Sequence, residues 1–205
     1  MDLTLPDKTV LRAEARAVRR RLAELSPDAS MRLAAHTEAL LDKEWATDGR
    51  WAEDTAKGRR LKVAIYQPRG AEIDTGPLAR ALIALSCDLC LPVVIERDAP
   101  LIFRAWTPGQ VLSPDLVGSP APLADAAEVR PNMILCPLLA FDAHGGRLGL
   151  GGGYYDRTVD AMDGRVAFIG VAYAGQQVER LPVEDHDEDM HGVLTETGYT
   201  AARKV

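Results

Sequence analysis

The residues best suited to chemistry lie in one stretch, Asp142-Ala143-His144-Gly145-Gly146-Arg147-Leu148-Gly149-Leu150-Gly151-Gly152-Gly153-Tyr154-Tyr155-Asp156-Arg157. Six of the nine residues from Gly145 to Gly153 are glycine. Glycine reaches positive φ and lets backbone N–H groups come close to a ligand. Successive N–H groups running into a helix start form an anion cradle. A merely flexible surface loop would not need Arg147, Tyr154, Tyr155 and Asp156 packed around it. Known phosphate motifs do not fit. A P-loop requires Gly-Lys-Ser/Thr, and here Gly153 is followed by Tyr154. The dinucleotide fingerprint fails at Gly149, Gly151 and Tyr154, and the kinase glycine loop fails in the same way. The stretch reads as a nucleotide cradle of another class.

Charge is unevenly spread along the chain. Lys8, Arg12, Arg16, Arg19, Arg20 and Arg21 face a single acid, Glu14, in the same segment. Glu179, Glu184, Asp185, Asp187, Glu188 and Asp189 face a single base, Arg180. Two solvated faces would explain both runs. The alternative is an anion site fed by the first run and a cation site fed by the second. If both serve one site, the two ends of the chain must meet at the glycine loop.

The elements that would position these groups follow from periodicity. Leu11, Ala15, Val18, Leu22 and Leu25 recur at three and four residues, which predicts a helix over 8–25. Lys8 and Arg12 then share a side of it. Pro27 ends that helix, and Ser26 or Asp28 caps a second one running to about Trp45. Residues 46–60 read as a polar loop. Leu61–Tyr66 reads as a strand, Gln67–Gly70 as a turn, and Asp74 or Thr75 as the cap of a helix to about Leu85. Leu89–Ile95, Leu101–Trp106, Met133–Pro137 and Val166–Ala172 are further strand candidates. Tyr154–Met162 reads as a helix, 107–131 as irregular, and the tail from Gln176 as mostly loop. Strands alternating with helices predict a single three-layer α/β/α domain over 1–205, its mostly parallel central sheet flanked by helices.

Composition bounds the rest. With 205 residues and 47% hydrophobic, the chain builds a core without staples. A net charge of −6 argues against a general nucleic-acid binder. No basic n-region or apolar h-region opens the sequence, and no stretch reads as a membrane span, since Asp88 and Pro92 interrupt the most apolar one. Three cysteines give no disulfide framework, so a reducing cytoplasm is the expected setting. Nothing demands an assembly, and a monomer is expected.

The segment from Pro137-Leu138-Leu139-Ala140-Phe141-Asp142 through Gly151-Gly152-Gly153-Tyr154-Tyr155-Asp156-Arg157 closely resembles the signature of the 5-formyltetrahydrofolate cyclo-ligase (5,10-methenyltetrahydrofolate synthetase) family. The resemblance covers nearly the whole chain. It includes Lys8-x-x-x-Arg12, Glu72-Ile73-Asp74-Thr75, and Leu181-Pro182-Val183 through His186-Asp187. It implies an ATP- and Mg²⁺-dependent conversion of 5-formyltetrahydrofolate to 5,10-methenyltetrahydrofolate, with release of ADP and phosphate. By matched position, Lys8 and Arg12 look like the N-terminal ATP-binding pair. Arg147, Leu148, Gly149, Leu150, Gly151, Gly152, Gly153, Tyr154 and Tyr155 look like the ATP-binding loop, with Arg147 catalytic beside the transferring phosphoryl. Gln67, Glu72, Leu150 and Tyr154 fall where the family contacts folate. Asp156 and Asp187 look like the Mg²⁺ ligands. Two departures stand out. Ala121 replaces an acidic residue or Gln, and His191 stands where Asp is common.

Other constellations read as structural. Cys87-Asp88-Leu89-Cys90 has a C-x-x-C form, but it ends a helix instead of opening one, so a lowered thiol pKa is not expected. With Cys136 as the third thiol, no Cys₄ zinc site can form. His186 and His191 among acids suggest a transition-metal site only weakly, and His144 reads as a loop residue. Trp45, Trp51 and Trp106 read as packing residues. Two non-ligase readings stay open: a phosphate-sugar or CoA-ester binder, and a folate-binding module without turnover. Paired metal carboxylates argue against the first. Turnover decides the second.

Overall fold

The structure, a computed structural model, describes residues 8–46, 58–184 and 186–203, with the side chains of 45 and 46 left aside. The Trp45 side chain, Trp51, most of the 46–60 loop and Asp185 lie outside the described residues. The elements in chain order are α1 (Lys8–Leu25), α2 (Ala29–Ala34), α3 (Thr37–Leu41), β1 (Lys62–Ala64), α4 (Gly76–Ala84), β2 (Asp88–Val93), β3 (Ile102–Ala105), β4 (Leu112–Pro114), β5 (Pro120–Pro122), β6 (Met133–Pro137), β7 (Ala140–Phe141), β8 (Arg147–Leu148), α5 (Tyr154–Asp160), β9 (Ala167–Val171), β10 (Gly192–Thr195) and β11 (Gly198–Ala201).

Seven strands form one sheet in the order β11-β10-β9-β6-β1-β2-β3. The inner pairings, from β10 through β9, β6 and β1 to β2, are all parallel. Only the two edge strands, β3 and β11, run antiparallel to their neighbours. This is the mostly parallel α/β sheet that the alternation of elements predicts. Alternate side chains sort onto two faces, as the period of a strand requires. Val63, Leu89, Leu91, Met133, Leu135 and Ile169 pack with Leu33, Leu40, Leu78 and Leu82 from α2, α3 and α4. Ala64, Cys90, Ile134, Cys136 and Phe168 face the other way, onto Val159 of α5 and Met162.

Two expectations need amending. The tail from Gln176 is mostly loop, as read, but it carries two strands the reading did not name: β10 extends the parallel sheet beside β9, and β11 closes that edge. Among the described residues, the crossover from β9 to β10 contains only a three-residue 3₁₀ turn, Ala174–Gln176, so no helical pattern announces the strand that follows. The helix read from 28 to about 45 is also broken. It divides into α2, α3 and a π-helical turn, Asp42–Ala46. There Glu44 is buried and accepts a short hydrogen bond from the Tyr199 hydroxyl on β11. That tertiary contact accompanies the break. Within 107–131, β4 and β5 pair as a small antiparallel hairpin. Among the described residues, no helix is long and apolar enough to cross a membrane.

Candidate active site

A cavity of about 880 Å³ opens at the carboxyl ends of the parallel strands. Tyr66 and Gln67 follow β1, Pro92 and Val94 come from the end of β2, and Pro137 ends β6; all line it. Chain order runs outward from β1 to β2 on one side and from β6 to β9 on the other. The cavity therefore sits at the topological switch of the sheet, where α/β folds leave a crevice. Lys8, Arg12, Gln67, Glu72, the whole run from Arg147 to Tyr155, Asp156 and Asp187 line this same cavity.

The glycine loop owes its shape to a few buried anchors. β7 and β8 pair as a short hairpin at its start. Inside the turn, the Asp142 carboxylate accepts backbone N–H groups of His144, Gly146 and Leu181 at 2.8 to 3.1 Å. Asp142 is only 3% exposed, so these bonds are not shared with solvent. Downstream, Gly151 has φ +101°, and a Cβ there would meet the Arg12 guanidinium at 3.2 Å. Arg12 Nε donates to Gly149 O at 3.1 Å. Gly153 precedes α5 with φ 62° and no side-chain cap. Arg157 donates to Gly152 O at 2.7 Å, and its guanidinium lies 5.2 Å over the Tyr154 ring. Glycine at Gly151 and Gly153 thus gives both the left-handed backbone and the room for two arginines.

The two ends of the chain do meet here. Lys8 Nζ lies 2.9 Å from Asp187 Oδ2 and 2.8 Å from Glu184 Oε2. Burial pulls the Lys8 ammonium down, but bonds to Glu184 and Asp187 outweigh it and leave it raised. On Asp187, burial pushes the carboxyl up; the Glu184 N–H and Lys8 outweigh this and hold it below the usual range.

Arg147 is almost fully enclosed. Its guanidinium stacks 4.6 Å over the Phe168 ring, donates to the Glu188 carbonyl, and pairs with Asp156 Oδ1 at 2.5 Å. Glu188 N–H donates to the same Asp156 oxygen at 3.1 Å. Asp156 is thus engaged through Oδ1 and Asp187 through Oδ2, which leaves each a second oxygen without a hydrogen-bond partner among the described residues. Hard carboxylate oxygens of this kind suit Mg²⁺. Glu184, His186 and Asp187 also bring one donor atom each within 4.8 Å of one another. Two of the three, Glu184 and Asp187, already pair with the Lys8 ammonium, and the trio does not include Asp156.

Glu72 lines the same cavity. Its carboxylate is 4% exposed, accepts Arg69 N–H at 2.9 Å, and lies 3.3 Å from Arg19 Nη1. Burial pushes the carboxyl up, and the Arg69 N–H and Arg19 only partly offset it. Sequence reasoning missed both Arg19 as the partner of Glu72 and Arg157 as the brace of the glycine loop. The Arg157 signal was adjacency to Tyr154–Asp156; Arg19 carried none beyond its place on a basic helix.

The other constellations lie elsewhere. Cys87, Cys90 and Cys136 are buried and free. Burial pushes the Cys87 thiol up to about 11 and the other two to about 12, which gives no redox-active pair. His191 Nδ1 accepts the Phe168 N–H at 3.0 Å and does not join His186 around a common point. Ala121 is 2% exposed within β5, while its neighbours Ser119 and Pro120 line the cavity. The family departures at Ala121 and His191 therefore fall outside the lining. Trp106 is buried, with its indole N–H unpartnered among the described residues.

Comparisons with known proteins show the family and the fold. The model of the 5-formyltetrahydrofolate cyclo-ligase family matches residues 5–196. The chain is 34% identical over 139 residues to a 5-formyltetrahydrofolate cyclo-ligase of Escherichia coli K12, covering 65% of this chain and 76% of that one. It is 33% identical over 149 residues to one of Mycolicibacterium smegmatis, covering 69% and 77%. The solved 5,10-methenyltetrahydrofolate synthetase of Aquifex aeolicus superposes with TM-score 0.68 at 27% identity, over 97% of this chain and 94% of that one.

Proposed function

The chain belongs to the 5-formyltetrahydrofolate cyclo-ligase family, and on that premise we propose that it closes 5-formyltetrahydrofolate to 5,10-methenyltetrahydrofolate at the expense of ATP. One observation carries the reading: a single cavity of about 880 Å³ is lined by Lys8, Arg12 and Arg147, by the buried Glu72 carboxylate and by the glycine loop. Its size suits ligands of small-molecule dimensions.

The formyl oxygen is a poor leaving group until it is phosphorylated. The reaction therefore begins with transfer of the ATP γ-phosphoryl to that oxygen, giving ADP and an N5-iminophosphate. Folate N10 attacks the activated carbon, loses its proton, and expels phosphate as the ring closes. No general base is needed at the first step, because the attacking oxygen carries no proton. Phosphoryl transfer needs positioning and charge neutralisation above all.

This division of labour fits the residues. Lys8 offers a point charge and Arg12 a planar fork to phosphate oxygens. The Gly149–Gly153 backbone borders the same space. Arg147, fixed by Phe168, Glu188 and Asp156, would meet the charge on the transferring phosphoryl. Asp156 and Asp187 would hold Mg²⁺, which supplies charge neutralisation on the phosphates when bound. Glu72 and Gln67 would take the pterin, since a carboxylate accepts from the pterin amino and ring N–H groups. Tyr154 and Leu150 border that side.

The test is an absorbance assay for methenyltetrahydrofolate formed from 5-formyltetrahydrofolate and MgATP. Stoichiometric ADP and phosphate are the expected co-products. Correctly folded protein that forms no product refutes the reading.

A further inference from the structure

Arg19 is 11% exposed at its side chain and does not line the cavity, yet it touches a residue that does. Its Nη1 divides between Glu72 Oε1 at 3.3 Å and Leu138 O at 3.2 Å. Leu138 O also receives Gln176 Nε2 at 3.0 Å, so the backbone just after β6 is itself fixed. The other Glu72 oxygen accepts Arg69 N–H. Both carboxylate oxygens are therefore anchored, Oε1 from outside the lining by Arg19 and Oε2 by the Arg69 backbone. Burying a guanidinium carries a desolvation penalty. Arg19 Nε is moreover buried with no partner among the described residues. Packing alone would be served better by an apolar side chain at this point of α1.

We propose that Arg19 is a positioning residue for the folate half of the site, holding the Glu72 carboxylate in its substrate-facing orientation. The assignment rests on the folate role given to Glu72 above. The same helix carries Lys8 and Arg12. Arg19 follows Lys8 by eleven residues, about three helical turns, so the two emerge on one side roughly 16 Å apart. A single rigid element thus presents cations to the nucleotide half at its first turns and to the Glu72 carboxylate about three turns on from Lys8.

The electrostatics support the geometry. The groups facing Glu72 are Arg19 from α1, Arg69 from the turn after β1, Tyr66 at the end of β1, and Tyr155 on α5. Among these side chains, only the two arginines favour the ionised carboxylate. Without Arg19, Glu72 would hold its proton to higher pH. Folate binding would then weaken at a higher pH than in the unmodified protein.

The experiment is steady-state kinetics of Arg19→Gln and Arg19→Lys with each substrate varied in turn, across pH 5 to 8. Arg19→Gln is expected to raise the KM for 5-formyltetrahydrofolate about tenfold or more. The KM for ATP should stay within about twofold, because Lys8 and Arg12 are untouched. The acid limb of the folate KM profile should move to higher pH. Arg19→Lys keeps the charge but not the fork, and should recover part of both effects. An unchanged folate KM in folded Arg19→Gln overturns the proposal, as does an equal rise in both KM values. If Arg19→Gln does not fold, Arg19→Lys decides: a profile superimposable on the unmodified protein overturns the assignment. Unmodified protein without turnover in the same assay refutes the parent reading instead, so the two failures are separable.

Discussion

Lys8 and Asp187 lie 179 positions apart in the chain and 2.9 Å apart in space. The contact joins the first turn of α1 to the segment that leads into β10. It sets the basic and acidic runs of the sequence against one another at the mouth of one cavity. The positions of Arg12 on Gly149 and of Arg147 on Asp156 extend the same seam along the glycine loop.

Arg147→Ala should lower kcat by roughly two to three orders of magnitude, the usual size for one lost charge contact in a transition state. Circular dichroism should show the fold retained. A variant with near-normal kcat would remove Arg147 from the chemistry and leave it only as the partner of Asp156 and Phe168.

Asp156→Asn and Asp187→Asn should each raise the Mg²⁺ concentration needed for half-maximal turnover, by about tenfold or more, since a neutral amide is a weaker ligand for a hard cation. Excess chelator should abolish activity in the unmodified protein and leave its fold intact. A Mg²⁺ titration identical to that of the unmodified chain would take the substituted residue out of the metal site.

Asp142→Ala should destabilise the protein by about 3 kcal/mol, because three backbone N–H groups, two of them in buried bonds, lose their acceptor at once. For a domain of this size that corresponds to a fall in Tm of about 6–12 °C. Thermal unfolding measures it. A change under about 1 kcal/mol would mean that water replaces the carboxylate, contrary to its 3% exposure.

The thiols give a pH prediction with a definite sign. A raised pKa lowers the thiolate fraction at every pH below it. With Cys87 at about 11, and Cys90 and Cys136 at about 12, native protein at pH 8 should resist iodoacetamide for hours. Reaction should accelerate as pH rises toward 11, at Cys87 first. In denaturant all three should react, which mass spectrometry counts. Rapid labelling of native Cys87 and Cys90 at pH 8 would revive a redox pair.

Much of the site was legible because its signal is compositional. Glycines at 151 and 153 are dictated by positive φ and by arginines packed against the backbone, so they stand out in the chain itself. The inner strands were legible because both of their faces are buried, which makes them continuous apolar runs. Gly192–Thr195 carries less signal: it is four residues long and is reached without a crossover helix. The break in the helix around Asp42 was hidden because Glu44 is tied to Tyr199, 155 positions away. Arg19 was hidden for a related reason. Periodicity says which side of α1 faces inward, but not that Glu72 waits there with a carboxylate.

Among the described residues, the cavity lining holds five lysine and arginine side chains against eight carboxylates. Its electrostatic balance is therefore negative, despite the basic helix at its rim. A free polyphosphate entering the cavity would meet eight carboxylates against five cations, so net repulsion opposes it. The same anion already complexed to a divalent cation loses most of that repulsion and offers the spare carboxylate oxygens a partner. On the function proposed above, metal and nucleotide would arrive as one complex, with the carboxylates acting against the uncomplexed nucleotide.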